Sequence, residues 1–319
     1  MIFRPIDGAE LRRVLPLIVP DPASPLTAAR FMTRVGQREY RPEWTWVAEE
    51  RPGGAPLAVA VWWGDPRDSR PSALDAVLVP GAAGQDAGRS GIAAALLTAA
   101  HAAYTAAGVA ESPAFHVFLP GDWRARPDVA AALAWRERAA RAAGLVASLE
   151  RLRYEWTPAA GWPGPPERLV LRPEPDDEVF VHLLRRVLSG TLDTTSARAA
   201  AGIGAEAQAR EDVAFYQEKM LGDRAWWRVA QTPDGELAGF GFPSRNVDFP
   251  VVGYLGVVPE HRGHGYVDEI LAAITRFLAT EIDAQVIRAD TDLVNRPMAA
   301  AFERAGYRNF ARRLVLSAG

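Results

Sequence analysis

A run of prolines and glycines in the middle of the chain sets the strongest limit on how this sequence can fold. Four prolines and two glycines lie between Thr157 and Pro166. Proline removes a backbone donor and fixes φ, so neither a helix nor a central strand can continue through this segment. The 319 residues are enough for two domains of roughly 100–200 residues each. We therefore predict a domain at 1–156, a linker at 157–167 and a second domain at 168–319.

The two halves repeat the same features in the same order. Each begins with two apolar residues followed by Arg-Pro, at 2–5 and at 170–173, and each later has a strand that runs into a proline, Pro80 or Pro259. A Gly-rich turn and a long helix follow, and each half closes with a helix ending in glycine and an arginine-rich strand. We predict a duplication, with a mixed α/β layer fold in the second half.

Composition argues against several kinds of partner and chemistry. A net charge of -3 without a basic block is not typical of proteins that bind nucleic acid or anionic membranes. The absence of cysteine removes disulfides and thiolate chemistry, and the histidines lack metal-ligand spacing, so no metal is predicted. The N-terminus does not resemble a signal peptide, and the apolar stretch 92–107 is too short to span a bilayer. We expect a soluble, cytoplasmic protein that is a monomer or a homodimer.

One segment near the C-terminus combines the features of an anion-binding site. A strand ends at Pro259, residues 262–265 read Arg-Gly-His-Gly, and a helix begins at once. Free N–H groups and the helix dipole at such a start suit a pyrophosphate. Gly263 and Gly265 let the backbone approach the phosphates, and Arg262 adds charge at the rim. A Rossmann site is a poor match because the third glycine is missing, and no Gly-Lys-Ser/Thr exists for a P-loop.

This segment resembles the acetyl-CoA loop of the Gcn5-related N-acetyltransferases (GNATs), in which Arg or Gln, two residues, Gly, one residue and Gly or Ala follow a strand ending in Val-x-Pro. Here Val257-x-Pro259, Arg262 and Gly265 match, whereas Val267 stands at the last position. The resemblance implies two tandem acetyltransferase-like domains, each a mixed, mostly antiparallel sheet flanked by helices, with acetyl-CoA bound by the second. The cofactor-binding residues it implies are Val257, Val258, Arg262, Gly263, His264, Gly265, Tyr266, Val267, Asn295 and Phe302.

The resemblance also implies direct attack of an amine on the thioester, with the backbone N–H groups of Val257 and Val258 holding the acyl oxygen. The family often has a tyrosine as proton donor where this chain has Phe302. The candidate donors are then Tyr254, Tyr266, Tyr307 or a water molecule.

Asp248 and Tyr254 are the catalytic candidates in the predicted second domain. Further candidate bases are His261, Asp193 and Glu218. The first half holds a degraded copy of the loop at 88–93, where acetyl-CoA binding stays open.

The function predicted from these features is transfer of an acetyl group to a primary amine of a small molecule. A non-catalytic acyl-CoA-binding or regulatory protein is the alternative, which Phe302 favours. Modification of an N-terminal or lysine amine of a protein is a third reading.

Overall fold

The computed structural model describes residues 1–81 and 85–319, and contacts divide them into two compact units. Unit 1 comprises 1–150 together with 311–319, and unit 2 comprises 151–310. The units differ from the predicted division at 157–167 because two strands at the ends of the halves are exchanged. The predicted division stays a prediction about the two halves of the sequence.

In the part of the chain that the structure describes, the first half of the sequence gives unit 1 five strands and four helices. They are β1 (Ile2–Pro5), α1 (Leu11–Val14), α2 (Ala28–Gly36), β2 (Tyr40–Glu49), β3 (Pro56–Trp63), β4 (Ala73–Leu78), α3 (Asp86–Ala106), β5 (Ala114–Pro120) and α4 (Pro127–Ala142). The strands follow one another across the sheet in chain order. All neighbours are antiparallel except β4 and β5, which are parallel.

Unit 2 has the same sheet pattern. The next elements are β6 (Ala147–Trp156), β7 (Val170–Pro173), α5 (Asp177–Leu188), α6 (Thr194–Ile203), α7 (Ala205–Glu218), β8 (Arg228–Gln231), β9 (Leu237–Arg245), β10 (Pro250–Val257), α8 (Tyr266–Thr280), β11 (Ile287–Asp292), α9 (Arg296–Arg304) and β12 (Arg308–Ser317). The strand order is β7-β8-β9-β10-β11-β6. Again one neighbouring pair, β10 with β11, is parallel, and the others are antiparallel.

Each sheet is completed by a strand from the other half of the sequence. In unit 1, residues 311–316 of β12 pair with β5. In unit 2, residues 151–156 of β6 pair with β11. The sequence predicts the helix, glycine and arginine-rich strand that close each half, but pairing is non-local, and both closing strands are of the same kind. Local patterning therefore does not specify which sheet each one joins.

Helices cover both faces of the unit 2 sheet. On one face α8 buries Ile270, Leu271, Ile274 and Leu278, whose positions i, i+1, i+4 and i+8 share one side of a helix. On the other face α5 and α7 pack in a second apolar cluster. Glycines allow the close approach: a Cβ on Gly256 would lie 2.7 Å from Val187 of α5. The central strand β10 is therefore held rigidly between two helical layers.

Among the described residues, no helix combines the length and the apolar character that crossing a membrane requires.

Candidate functional site

Strands β10 and β11 separate soon after they meet. Their one pair in the described chain is Val251 with Arg288, whereas β10 stays paired with β9 as far as Val257. The N–H of Val258 donates to the carbonyl of Ala238 at 3.0 Å, so it is already used. N–H groups alternate in direction along a strand. Those of Val257 and Leu255 therefore point away from β9, toward the gap between β10 and β11, which we call the opening. Of the two predicted acyl-oxygen donors, the geometry therefore favours Val257, with Leu255 as an addition.

The opening leads directly to the glycine loop at the start of α8. Gly263 and Gly265 have φ of +83° and +75°, in the left-handed region that favours glycine. Gly265 precedes the first helical residue, Tyr266, and in the described chain no side chain caps this helix start. The first N–H groups of a helix have no partner within it, so those of Tyr266 and Val267 are available to an anion. His264 is exposed beside them.

The Arg262 side chain is directed into the protein. Its guanidinium donates to the carbonyls of Val257 (3.1 Å), Val187 (2.8 Å) and Ser189 (2.7 Å). These contacts satisfy carbonyls at the C-terminal end of α5 and tie that helix to the end of β10. The guanidinium donors of Arg262 are therefore bonded to backbone oxygens and do not face the surface of the loop. Direct contact of Arg262 with a cofactor stays a prediction.

A different arginine presents its charge at the loop. Arg168 donates to the carbonyl of His264 at 2.7 Å and forms an ion pair with Glu269 at 2.6 Å, while its side chain remains 54% exposed. Glu269 also accepts the N–H groups of residues 167–169 at 2.8–3.1 Å. These bonds fasten the segment before β7 to the first turn of α8 and stabilise the loop from outside. The sequence motif gave no signal for Arg168, because it lies almost one hundred residues before the loop.

Three residues in and around α9 have contacts within unit 2. Asn295 caps α9, with its Oδ1 accepting the N–H of Met298 at 3.3 Å. Phe302 is 2% exposed and stacks on Tyr154 with ring centroids 4.9 Å apart. The hydroxyl of Tyr307 bonds to that of Thr275 at 2.8 Å in the core. Tyr307 is therefore poorly placed as a proton donor.

The predicted catalytic residues lie in different places. Tyr254 is on β10, and burial followed by the charge of Asp193 raises the pKa of its hydroxyl to about 12. Asp248 is exposed in the turn before β10, at the opposite end of that strand from the glycine loop. His261 lies on the β9 side of β10, with its Nε2 3.4 Å from Glu236, beside a hollow of about 670 Å³. The structure thus brings Tyr254, but not Asp248 or His261, to the face covered by α6 and α7.

Asp193 and Glu218 were the other candidate bases. Asp193 caps α6 by accepting the N–H of Ser196 at 2.8 Å and pairs with Arg151 at 3.3 Å. Glu218 is the last residue of α7 and is exposed. Neither carboxylate has the combination of burial and free acceptor atoms expected of a base.

Sequence reasoning missed a polar pair on α7. Gln208 and Asp212 lie four residues apart, with the Nε2 of Gln208 donating to the Asp212 carboxylate at 2.8 Å. Burial raises the pKa of Asp212 to about 6, and the charges of Asp193 and Glu211 act in the same direction. The only local signal was this spacing, which is common on solvent-facing helices.

Strands β4 and β5 of unit 1 separate in the same way, and a buried arginine bonds to β4 beyond the point where they part. Strands β4 and β5 pair at Ala73 and Leu74, and the Nε of Arg136, a fully buried arginine, donates to the carbonyl of Val77 at 3.2 Å. Asp21 pairs with the same guanidinium. Residues 88–93 lie inside α3, so the degraded copy of the motif forms no glycine loop.

Comparisons with known proteins agree with this geometry. Residues 168–308 match a family model described as an acetyltransferase (GNAT) domain, and no curated protein matches the sequence. Among solved structures, a GCN5-related N-acetyltransferase from Sphaerobacter thermophilus is 16% identical with a TM-score of 0.59, over 98% of this chain and 94% of that one. A tandem GNAT protein from the clavulanic acid biosynthesis pathway is 19% identical with a TM-score of 0.53, over 100% and 98%. These similarities confirm the predicted fold class of two tandem units, each with a mixed sheet flanked by helices.

Proposed function

We propose that this chain transfers an acetyl group from acetyl-CoA to a primary amine of a small molecule. Residues 168–308 match the model of the GNAT acetyltransferase domain, which supports the proposal. The observation that carries the proposal is the continuity of two features in unit 2. The unpaired edge of β10, at Leu255 and Val257, leads directly into the uncapped start of α8. An acyl group with its carbonyl on the strand edge and phosphates on the helix start fits this arrangement.

The chemistry follows from where charge develops. The amine nitrogen attacks the thioester carbon, the carbonyl oxygen becomes negative, and then the C–S bond breaks. Backbone donors fixed at Val257 and Leu255 stabilise that oxygen without reorganising. The departing thiolate needs a proton, which Phe302 cannot give. Tyr254 is our proposed donor because it lies on β10, the strand that carries Leu255 and Val257, and its hydroxyl, with a pKa raised to about 12, holds a proton near neutral pH.

Acetyl-CoA titration tests the proposed site. Gly265→Glu is expected to weaken binding roughly 100-fold, since juxtaposed like charges cost several kcal/mol. Gly235→Glu is the matched control, because Gly235 also has a positive φ, +90°, but lies in the β8–β9 turn. Unchanged affinity in Gly265→Glu would show that the loop is not the phosphate site.

Thiol release against a panel of primary amines then separates an enzyme from the alternative. Turnover on any of these amines supports the transferase. Binding of acetyl-CoA without turnover supports a non-catalytic acyl-CoA-binding protein, the role that Phe302 favours.

Binding stoichiometry is a separate expectation. Because Arg136 bonds to the Val77 carbonyl of β4 and residues 88–93 form no glycine loop in unit 1, we expect about one acetyl-CoA per chain by calorimetry. A stoichiometry near two that falls to one in Gly265→Glu would contradict this reading of unit 1.

A further inference from the structure

Two buried acceptor atoms on α7 face no donor. Gln208 is 7% exposed, and its Nε2 is bonded to Asp212. The Oε1 of Gln208 and the Oδ2 of Asp212 are both buried without a hydrogen-bond partner among the described residues. Leaving a buried acceptor unmet costs free energy, and each such atom in a folded protein calls for an explanation. Two of them on adjacent turns of one helix suit a ligand that brings donors.

The groups around this pair show which donor fits. Asp193, from the connection between α5 and α6, and Glu211, on α7 itself, both act on Asp212 with negative charge. Tyr254 of β10 and Tyr216 of α7 lie within the field of Asp212. Arg151 of β6, whose positive charge acts on the neighbouring Tyr216, is engaged with Asp193 and Asp292. Free acceptors in a negative environment favour a cation with several N–H donors, such as a primary ammonium.

We propose that Gln208 and Asp212 form the subsite for the ammonium group of the amine substrate, and that Asp212 takes a proton from this ammonium before acyl transfer. This inference rests on the proposed function and names the base that the reaction requires. Tyr254 connects the subsite to the reaction centre, since it interacts with Asp212 and lies on the strand that carries Leu255 and Val257. The amine substrate is therefore bound as an ammonium ion.

The proton balance is complete without another reactant. The ammonium gives one proton to the Oδ2 of Asp212 and becomes a neutral amine, whose nitrogen then forms the bond to the acyl carbon. When the C–S bond breaks, Tyr254 gives its hydroxyl proton to the thiolate and takes up the second proton lost from nitrogen. Asp212 returns its proton to solvent, so an ammonium and a thioester yield an amide, a thiol and one released proton.

The raised pKa of Asp212, about 6, suits this role. A base is most effective when its pKa is close to the working pH, because it is ionised and still basic enough to accept the proton. Burial is the main cause of the shift, and the hydrogen bond from Gln208 opposes it.

The first test measures binding and needs no turnover. With acetyl-CoA bound, the side-chain amide signal of Gln208 is followed by NMR during titration with propylammonium chloride. We expect a saturable shift that weakens as the pH falls below about 6, and 1-propanol should not produce it. Asp212→Asn should lose the response, and Glu206→Gln, an exposed position on the same helix, should keep it. No response to propylammonium, or the same response in Asp212→Asn, overturns the proposal.

The second test uses the best amine found by thiol release. Asp212→Asn should lower kcat roughly 100- to 1,000-fold and remove the acidic limb of the kcat/KM profile, while the Kd for acetyl-CoA stays within about twofold. Equal kcat/KM in Asp212→Asn and wild type overturns the role of Asp212. Failure of wild type to bind acetyl-CoA instead overturns the proposed function, so the two failures are distinguishable.

Folding of the variant is checked by its melting temperature. A buried carboxylate with a raised pKa destabilises the wild type as the pH rises through about 6. Asp212→Asn should therefore melt higher than wild type at pH 8, with the difference closing by pH 4. A variant that melts lower at both pH values would show that Asp212 is structural.

Discussion

Arg262→Lys is expected to lower the free energy of unfolding and the affinity for acetyl-CoA almost as much as Arg262→Met, although lysine keeps the positive charge. The guanidinium satisfies carbonyls of Val187, Ser189 and Val257 at once. Lysine has one compact ammonium that cannot reproduce the planar fork. Hydrogen bonds from charged groups are worth about 1.5–3 kcal/mol each, so we expect a loss of about 2–4 kcal/mol in the free energy of unfolding. Denaturant unfolding and acetyl-CoA calorimetry on both variants measure this.

The control for this prediction is Arg304→Lys. Arg304 pairs with Asp268 on the surface of the same unit and is 57% exposed, so its replacement should change stability by less than about 1 kcal/mol. If Arg262→Lys kept wild-type stability and affinity while Arg262→Met lost only affinity, the charge at the rim would be its main contribution. The motif alone predicts that second outcome.

Gly239→Ala is expected to cost about 3 kcal/mol or more in the free energy of unfolding. An added Cβ would overlap the carbonyl oxygen of Gly256 and lie 2.9 Å from Ile270 of α8. The carbonyl belongs to the paired strand β10 and cannot rotate aside, so the overlap must be relieved by moving the strand. Because β10 carries the proposed acyl-oxygen donors, acetyl transfer should fall with stability.

Gly202→Ala is the matched control for this change. Gly202 lies inside α6 and nothing stands within 4 Å of an added Cβ. Alanine is favoured over glycine in a helix by about 0.5–1 kcal/mol, so stability should rise slightly. Equal effects of the two substitutions would show that the packing of β9 on β10 is looser than described. Thermal unfolding of both variants distinguishes the cases.

Local patterns predicted much of unit 2. The apolar spacing predicts a helix from about Tyr266 to Thr280, which is where α8 lies, and the turn residues after Gln231 predict the hairpin that β8 and β9 form. The helix α6 was missed because Thr194–Ile203 is rich in alanine and lacks a continuous apolar stripe. The glycine loop was predictable because its geometry depends on consecutive residues.

The rest of the candidate site depends on tertiary packing. Asp212 and Gln208 acquire their character from burial beneath neighbouring elements, and nothing in the sequence of α7 distinguishes them from its exposed polar residues. Arg262 shows the converse case. The motif locates the residue correctly in the loop, yet the direction of its side chain is set by the end of α5, which lies over seventy residues earlier. A motif specifies a backbone path more securely than it specifies what each side chain contacts.

The exchanged strands have a consequence for how the chain folds during synthesis. The sheet of unit 1 joins residues near 115 to residues near 316, so its last strand leaves the ribosome after nearly all of unit 2 has been made. Until then β5 has an open edge, with backbone groups available to other strands. Contacts between such distant residues also form slowly, because a long loop must close first. The first half therefore stays incomplete until β12 has been made, and β6, the arginine-rich strand that closes the first half of the sequence, is available before then to pair wrongly with the open edge of β5.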